Sequence, residues 1–263
     1  MRARGVLPAA ALALALAFAP AAPAAAAWCE APGRGLVITA VSLAHDDEAL
    51  DRDGDGRPVD DGLKLEISPW VQYGLDPGLT AIAQATWTST RREAAGDQGI
   101  SALFVALRRE LWSGGGQTLS LQPGLSVSPG PAARGRRLGG GLPAGELRLL
   151  YGTGFALPWA WAEDGFAVVE IAPRLREGGR DSRLEVGGTL GLRLAGGETL
   201  LFQAVSQHAF GPDDSDFAKQ QLFASTLLPL GPALSLQLGA GYVVAGRDTP
   251  REATGLAALW LRF

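Results

Sequence analysis

Apolar and polar positions alternate with a period of two along most of this chain. Leu63, Leu65, Ile67, Val71, Tyr73 and Leu75 share one face of a segment whose other face carries Lys64, Glu66, Ser68 and Gln72. Leu119, Leu121, Leu125 and Val127 alternate with Thr118, Ser120, Gln122 and Ser126, and Leu184, Val186, Leu190, Leu192 and Leu194 with Arg183, Glu185, Thr189 and Arg193. Successive side chains of a β-strand point to opposite sides, so each such segment reads as a strand with one apolar and one polar face. The segments run about ten residues or a little more, the length a tilted strand needs to cross a bilayer.

Twelve strands are predicted, near 34–44, 63–75, 79–90, 99–113, 117–127, 145–157, 165–176, 183–195, 198–210, 220–229, 233–245 and 252–263. Alternation alone does not separate a membrane barrel from a soluble sandwich, because both have one apolar and one polar face. The connections do separate them. Tight turns at Asp76-Pro77-Gly78, Gly114-Gly115-Gly116, Gly196-Gly197 and Gly231-Pro232 take turns with longer polar loops at 45–62, 91–98, 128–144, 211–219 and 246–251. Short turns at one end and long loops at the other are the signature of an all-β, antiparallel, up-and-down transmembrane barrel. An even strand number places both termini at the short-turn end.

Composition adds a compartment. Met1-Arg2-Ala3-Arg4 is basic, Val6 to Phe18 is apolar, and Ala24 to Ala27 is a small-residue stretch. That is the layout of a secretory signal peptide, expected over 1–27, with the barrel domain over 28–263. Trp28 ahead of Cys29 departs from the small residue that a lipid-attachment site requires. Beyond the leader no run approaches the ~20 apolar residues of a spanning helix, so any span must be made of strands. A net charge of −4 gives no reason to expect nucleic acid as a partner.

The chain ends on a strand with Ala257, Leu259, Leu261 and Phe263 on one face and Trp260 and Arg262 on the other. A terminal aromatic after alternating apolar residues is similar to the closing strand read by the outer-membrane barrel-assembly machinery, so Phe263 is taken as the assembly signal. The expected address is the cell outer membrane, with its lipid and that machinery as partners.

Several pieces resemble the XagA-like group of proteobacterial outer-membrane proteins. They are Trp28 followed by Gly33-Arg34-Gly35, then Trp70-Val71-Gln72-Tyr73-Gly74-Leu75 with Leu79-Thr80, then Tyr151-Gly152-Thr153-Gly154-Phe155, and finally Leu259-Trp260-Leu261-Arg262-Phe263. The resemblance implies a location and a porin-like barrel more than an activity.

The polar faces give the candidate lumen. Lys64, Glu66, Arg108, Glu110, Arg148 and Glu170 fall on them, as do Arg174, Arg176, Glu185, Arg193 and Arg262. Charges of both signs facing one another in a narrow barrel are expected to pair, and the small basic excess points to anionic or polar solutes. A channel or transport component for small polar solutes is therefore the first expectation, and a plugged structural or surface-interaction barrel the second.

Two other chemistries are carried forward. Asp51, Asp53, Asp55 and Gly56 have the spacing of the first half of an EF-hand calcium loop, although Gly62 stands where the bidentate Glu belongs. No other cofactor is indicated. Ser206 and His208 point to one face of a strand, which suggests a lipid hydrolase as a third reading, with Leu200, Phe202 and Phe210 making that face the lipid side. Nothing else in the chain points to an enzyme.

Overall fold

The structure, a computed structural model, describes residues 27–92, 95–129, 132–133, 136–137, 143–159, 161–176, 182–210 and 217–263. The expected leader lies outside the described residues except for Ala27.

Twelve long strands form one closed antiparallel sheet. They are β1 (Gly35–Leu50), β2 (Gly56–Asp76), β3 (Leu79–Arg92), β4 (Ala95–Gly114), β5 (Gln117–Val127) and β6 (Ala144–Ala156) in the first half. The second half holds β7 (Ala162–Arg176), β8 (Arg183–Leu194), β9 (Thr199–Ala209), β10 (Ala218–Pro229), β11 (Leu234–Arg247) and β12 (Ala253–Arg262). Each pairs with its neighbours in sequence, and β12 closes the barrel on β1 from Leu36 with Arg262 to His45 with Ala253. The seam is finished by the amide of Gly35 donating to the Phe263 carbonyl at 2.8 Å and the Phe263 amide donating back at 3.0 Å. Closure leaves no unpaired edge, which a hydrocarbon environment demands. A two-residue ladder, Ala132–Ala133 with Arg136–Arg137, stands apart from the barrel.

The burial pattern decides between barrel and sandwich. Along β5 the polar residues are inside, with Thr118 and Ser120 0% exposed and Gln122 2%, while Leu125 is 63% exposed. Val105, Leu175, Leu259, Leu261 and Phe263 also face outward. A soluble sandwich reverses this arrangement. An outer surface so rich in exposed Leu, Val and Ile belongs against lipid.

The predicted asymmetry of turns and loops holds only in part, and the loops expected at 128–144 and 211–219 lie mostly outside the described residues. At the end that carries the termini, Gly115 and Gly116 join β4 to β5 with φ of 59° and 77°, the two-residue turn whose twist matches the strands it joins. At the other end three predicted loops are corrected. β1 runs on to Leu50 and β2 starts at Gly56, so only Asp51 to Asp55 joins them where a loop over 45–62 was expected. β3 reaches Arg92 and β4 begins at Ala95, which shortens the expected 91–98 loop. β11 extends to Arg247, and Thr249–Pro250 pairs with Ala49 and Leu50 of β1. These extensions stand where both strand faces carry polar residues, so they leave no two-fold apolar pattern to read.

Candidate functional site: the barrel lumen

Residues 27–34 enter the barrel at the terminal end. Ala27, fully buried, packs with Leu150, Phe166, Val168 and Leu201, and Trp28 lies against the same cluster. The bonds that hold the segment are neutral or engage only its backbone. The Ser120 hydroxyl donates to the Ala27 carbonyl at 2.7 Å, the Arg108 guanidinium to the Trp28 carbonyl at 3.2 Å, and the Glu30 amide donates to the Thr80 hydroxyl at 2.8 Å. The Gly33 amide donates to the Gly74 carbonyl and the Gly74 amide to the Arg34 carbonyl, both at 2.9 Å. Two glycines make room for it. A Cβ at Gly74 would lie 2.1 Å from the Ala31 carbonyl oxygen, and one at Gly152 would lie 2.7 Å from the Trp28 ring.

Beyond this segment the lumen holds a cavity of about 710 Å3 with two unlike walls. One wall, from β4 to β8, is charged. Arg148 is clamped by three carboxylates, with Nε 3.0 Å from Glu146, Nη1 2.6 Å from Glu170 and Nη2 2.9 Å from Glu185. Three charge-assisted bonds on one guanidinium use most of its five donors and fix it in place. Arg108, 3% exposed, instead donates to neutral acceptors, Gln122 at 3.0 Å and Gln72 at 3.5 Å besides the Trp28 carbonyl. The other wall, from β12, β1, β2 and β4, is apolar and aromatic, with Leu36, Ile38, Trp70, Phe104, Leu256 and Trp260. Trp70 and Phe104 stack at 6.2 Å between centroids.

The residues assigned to the lumen from sequence separate into groups. Arg108, Arg148, Glu170, Arg174, Glu185, Arg193 and Arg262 line the cavity. Lys64 and Glu66 sit at the loop end, where Lys64 reaches Glu252 at 2.8 Å and Lys219 reaches the other oxygen of Glu252 at 2.6 Å. Glu252, only 7% exposed, is pushed up by its burial, but Lys219 and Lys64 outweigh this and hold it below the ordinary Glu range. Glu110 turns to the terminal rim, where it accepts from Ser113 at 2.6 Å. Arg176 lies at the loop end, its amide bonded to the Ser182 hydroxyl at 3.1 Å.

Asp51, Asp53 and Asp55 form the β1–β2 turn. The Asp51 carboxylate accepts the amides of Asp53 at 2.9 Å and Asp55 at 3.0 Å and pairs with Arg57. The Asp55 amide contributes most to holding Asp51 below the ordinary Asp range. Among the described residues no group of three or more His, Cys, Asp or Glu side chains is arranged to hold a metal ion. Ser206 and His208 are in contact, Oγ to Nε2, at 2.9 Å. On the adjoining strands Ser206 faces Val186 and Gln220, and His208 faces Leu184 and Ala218. Among the described residues no carboxylate bonds the His208 ring.

Sequence reasoning missed two parts of the site. Trp70 and Phe104 alternate into the polar register beside Gln72 and Arg108, which is the signal that would have placed them in the lumen, as the sequence had placed Trp260 on the face of Arg262. The inward course of residues 27–34 has no periodicity and gave no such signal.

The fold and its interior define a membrane-spanning β-barrel with an enclosed lumen that is charged on one side and apolar and aromatic on the other. No family model matches the sequence and no curated protein does, so the XagA-like resemblance rests on the short motifs alone. Among solved structures the chain is similar to the COG4313 outer membrane channel from Pseudomonas putida F1, with a TM-score of 0.70 at 14% identity, over 92% of this chain and 100% of that one. It is also similar to the NanC porin, with a TM-score of 0.52 at 8% identity, over 84% of this chain and 98% of that one. At such identities the likeness is one of fold: this chain has the architecture of bacterial outer-membrane channels and porins.

Proposed function

We propose that this chain is a narrow porin-like channel or transport component of the outer membrane, serving small polar solutes. The observation that carries the reading is the cavity of about 710 Å3 lined by Arg, Glu and Gln inside a wall whose outer face is apolar. Such a lumen replaces part of a solute's hydration with fixed hydrogen-bonding groups, the means by which pores select. Residues 28–34 narrow the terminal end, which faces the periplasm. Export by the 1–27 leader, insertion by the barrel-assembly machinery at the Phe263 strand, and residence in outer-membrane lipid belong to the same reading. The two channel-named structural neighbours and the XagA-like motifs support it. Planar-bilayer recording of the folded chain tests it: discrete conductance steps are expected, and a flat baseline in a correctly folded preparation contradicts it.

One observation favours a second reading. The inward segment and the Arg148 clamp fill much of the interior, which suits a non-conducting structural or surface-interaction barrel. The same recording separates the two. The Ser206–His208 contact leaves lipid hydrolysis as a third reading, and it is tested by fatty-acid release from phospholipid micelles, lost in Ser206→Ala. Absence of release from the unaltered protein removes it. Calcium at the β1–β2 turn is tested by calorimetric titration with CaCl2, for which the three aspartates predict heat that Asp53→Asn reduces.

A further inference from the structure

Arg174, like Arg108 and Arg262, has no carboxylate within ion-pair distance among the described residues, but among the cavity arginines it is the one whose buried Nε lacks a hydrogen-bond partner. One of its Nη atoms donates to the Ser126 hydroxyl, and its buried Nε has no hydrogen-bond partner. Its cross-strand neighbours are Arg183 and Glu146, and Glu146 is engaged by Arg148. A buried guanidinium nitrogen left without an acceptor is costly and calls for an explanation.

The surroundings of Arg174 supply one. Ser126, its hydroxyl partner, is the cross-strand partner of Phe104, and Phe104 stacks on Trp70. The Phe104 ring lies over bare backbone, since a Cβ at Gly124 would be 2.6 Å from it. Aromatic faces, a hydroxyl and an under-satisfied guanidinium thus follow one another along the cavity wall. The lining as a whole is cationic, with five guanidiniums against three carboxylates, and Asp164, which pairs with Arg193 at 2.9 Å, does not cancel the excess.

We infer that this strip is a binding site for an amphipathic organic anion, a monocarboxylate with a ring-sized apolar body. The carboxylate accepts from the Arg174 guanidinium where it lines the cavity, with the two-point geometry that arginine offers to carboxylates, and a shift of the side chain toward the anion brings its solvent-sealed Nε within reach. The apolar body lies on Phe104 and Trp70. Arg148 is not the anchor because its donors are already held by Glu146, Glu170 and Glu185. The inference names the solute class of the channel reading and rests on that reading only for how the solute reaches the lumen.

The test is calorimetric titration of the folded full-length mature chain in detergent with sodium phenylacetate, beside 2-phenylethanol, which lacks the charge, and sodium acetate, which lacks the ring. Phenylacetate is expected to bind at least tenfold more tightly than either. Arg174→Gln is expected to weaken it at least tenfold, Arg174→Lys to recover part of the loss, and Phe104→Leu to weaken phenylacetate while leaving acetate unchanged. Heat-modifiable gel migration verifies that each variant is folded. Equal affinity for 2-phenylethanol, no phenylacetate binding at millimolar concentration, or an unaltered affinity in folded Arg174→Gln overturns the inference. Conductance steps without phenylacetate binding sink this site and leave the channel reading standing, whereas binding without steps supports the site and removes the channel.

Discussion

At the end of the barrel that carries the termini, backbone approaches backbone and ring. The Ala31 carbonyl rests against Gly74, the Trp28 indole against Gly152, and the Phe263 ring against Gly35. At the opposite end the contacts run between long charged side chains: Glu252 with Lys64 and Lys219, Asp46 with Arg92, and Glu48 with Arg251 at 2.8 Å. Close packing tolerates almost no change in volume, whereas half-buried ion pairs tolerate changes of shape but not the loss of one partner's charge. The difference teaches where this barrel is sealed. The terminal mouth is narrowed by shape and the opposite mouth is held by charge.

That comparison can be broken most severely at Gly152. Gly152→Leu sets a side chain where the Trp28 ring now sits, and overpacking of this kind costs about 1–3 kcal/mol. Relief comes through displacement of the segment, so we expect conductance to rise several-fold and Trp emission to shift to the red. Unchanged values of both would show that the terminal end is not sealed by fit. At the other mouth, Glu252→Gln leaves two ammonium groups facing each other around a neutral amide. The loss is expected to be about 1–3 kcal/mol in urea unfolding, with little change in conductance. A conductance rise as large as that of Gly152→Leu would erase the contrast.

Acid gives the smallest effect and sharpens the comparison instead. Glu252 is held below the ordinary Glu range. A depressed carboxylate contributes stability that is present above its unfolded value and lost as pH falls through the folded one. Between pH 7 and the acid limb, amide exchange is therefore expected to quicken at the loop-end residues of β10, β11 and β12. The bonds that Trp28 and Glu30 make to Arg108 and Thr80 involve no carboxylate, so exchange there should not change. Loosening at both ends together would contradict the assignment.

Much of the wall was legible in the sequence, because lipid imposes its rule on every second residue. Leu125 beside Ser126, and Leu261 beside Arg262, declare their faces by chemistry alone. The upper parts of β1 and β2 were not legible, since a strand that rises into water is polar on both faces, as Asp46, Asp47, Glu48, Asp60 and Asp61 show. The charged wall of the lumen could be read from Arg148, Glu170 and Glu185, although not the clamp among them. Most of the aromatic wall was hidden because Trp70 and Phe104 are apolar side chains on the face assigned to polar ones, while Trp260 was legible beside Arg262. The four XagA-like motifs were found as isolated fragments. Only the fold shows that Trp28, Gly74, Gly152 and Phe263 meet around the inward segment, or the seam beside it, at one end of the barrel.

The central claim is that the lumen conducts and that residues 28–32 narrow it. Single-channel recording in planar bilayers, comparing the folded mature chain with a variant lacking Trp28 to Pro32, tests it most directly. The account predicts small discrete steps for the first and steps several-fold larger for the second. Equal steps in both would contradict the narrowing role, and a silent bilayer in both would contradict the channel itself.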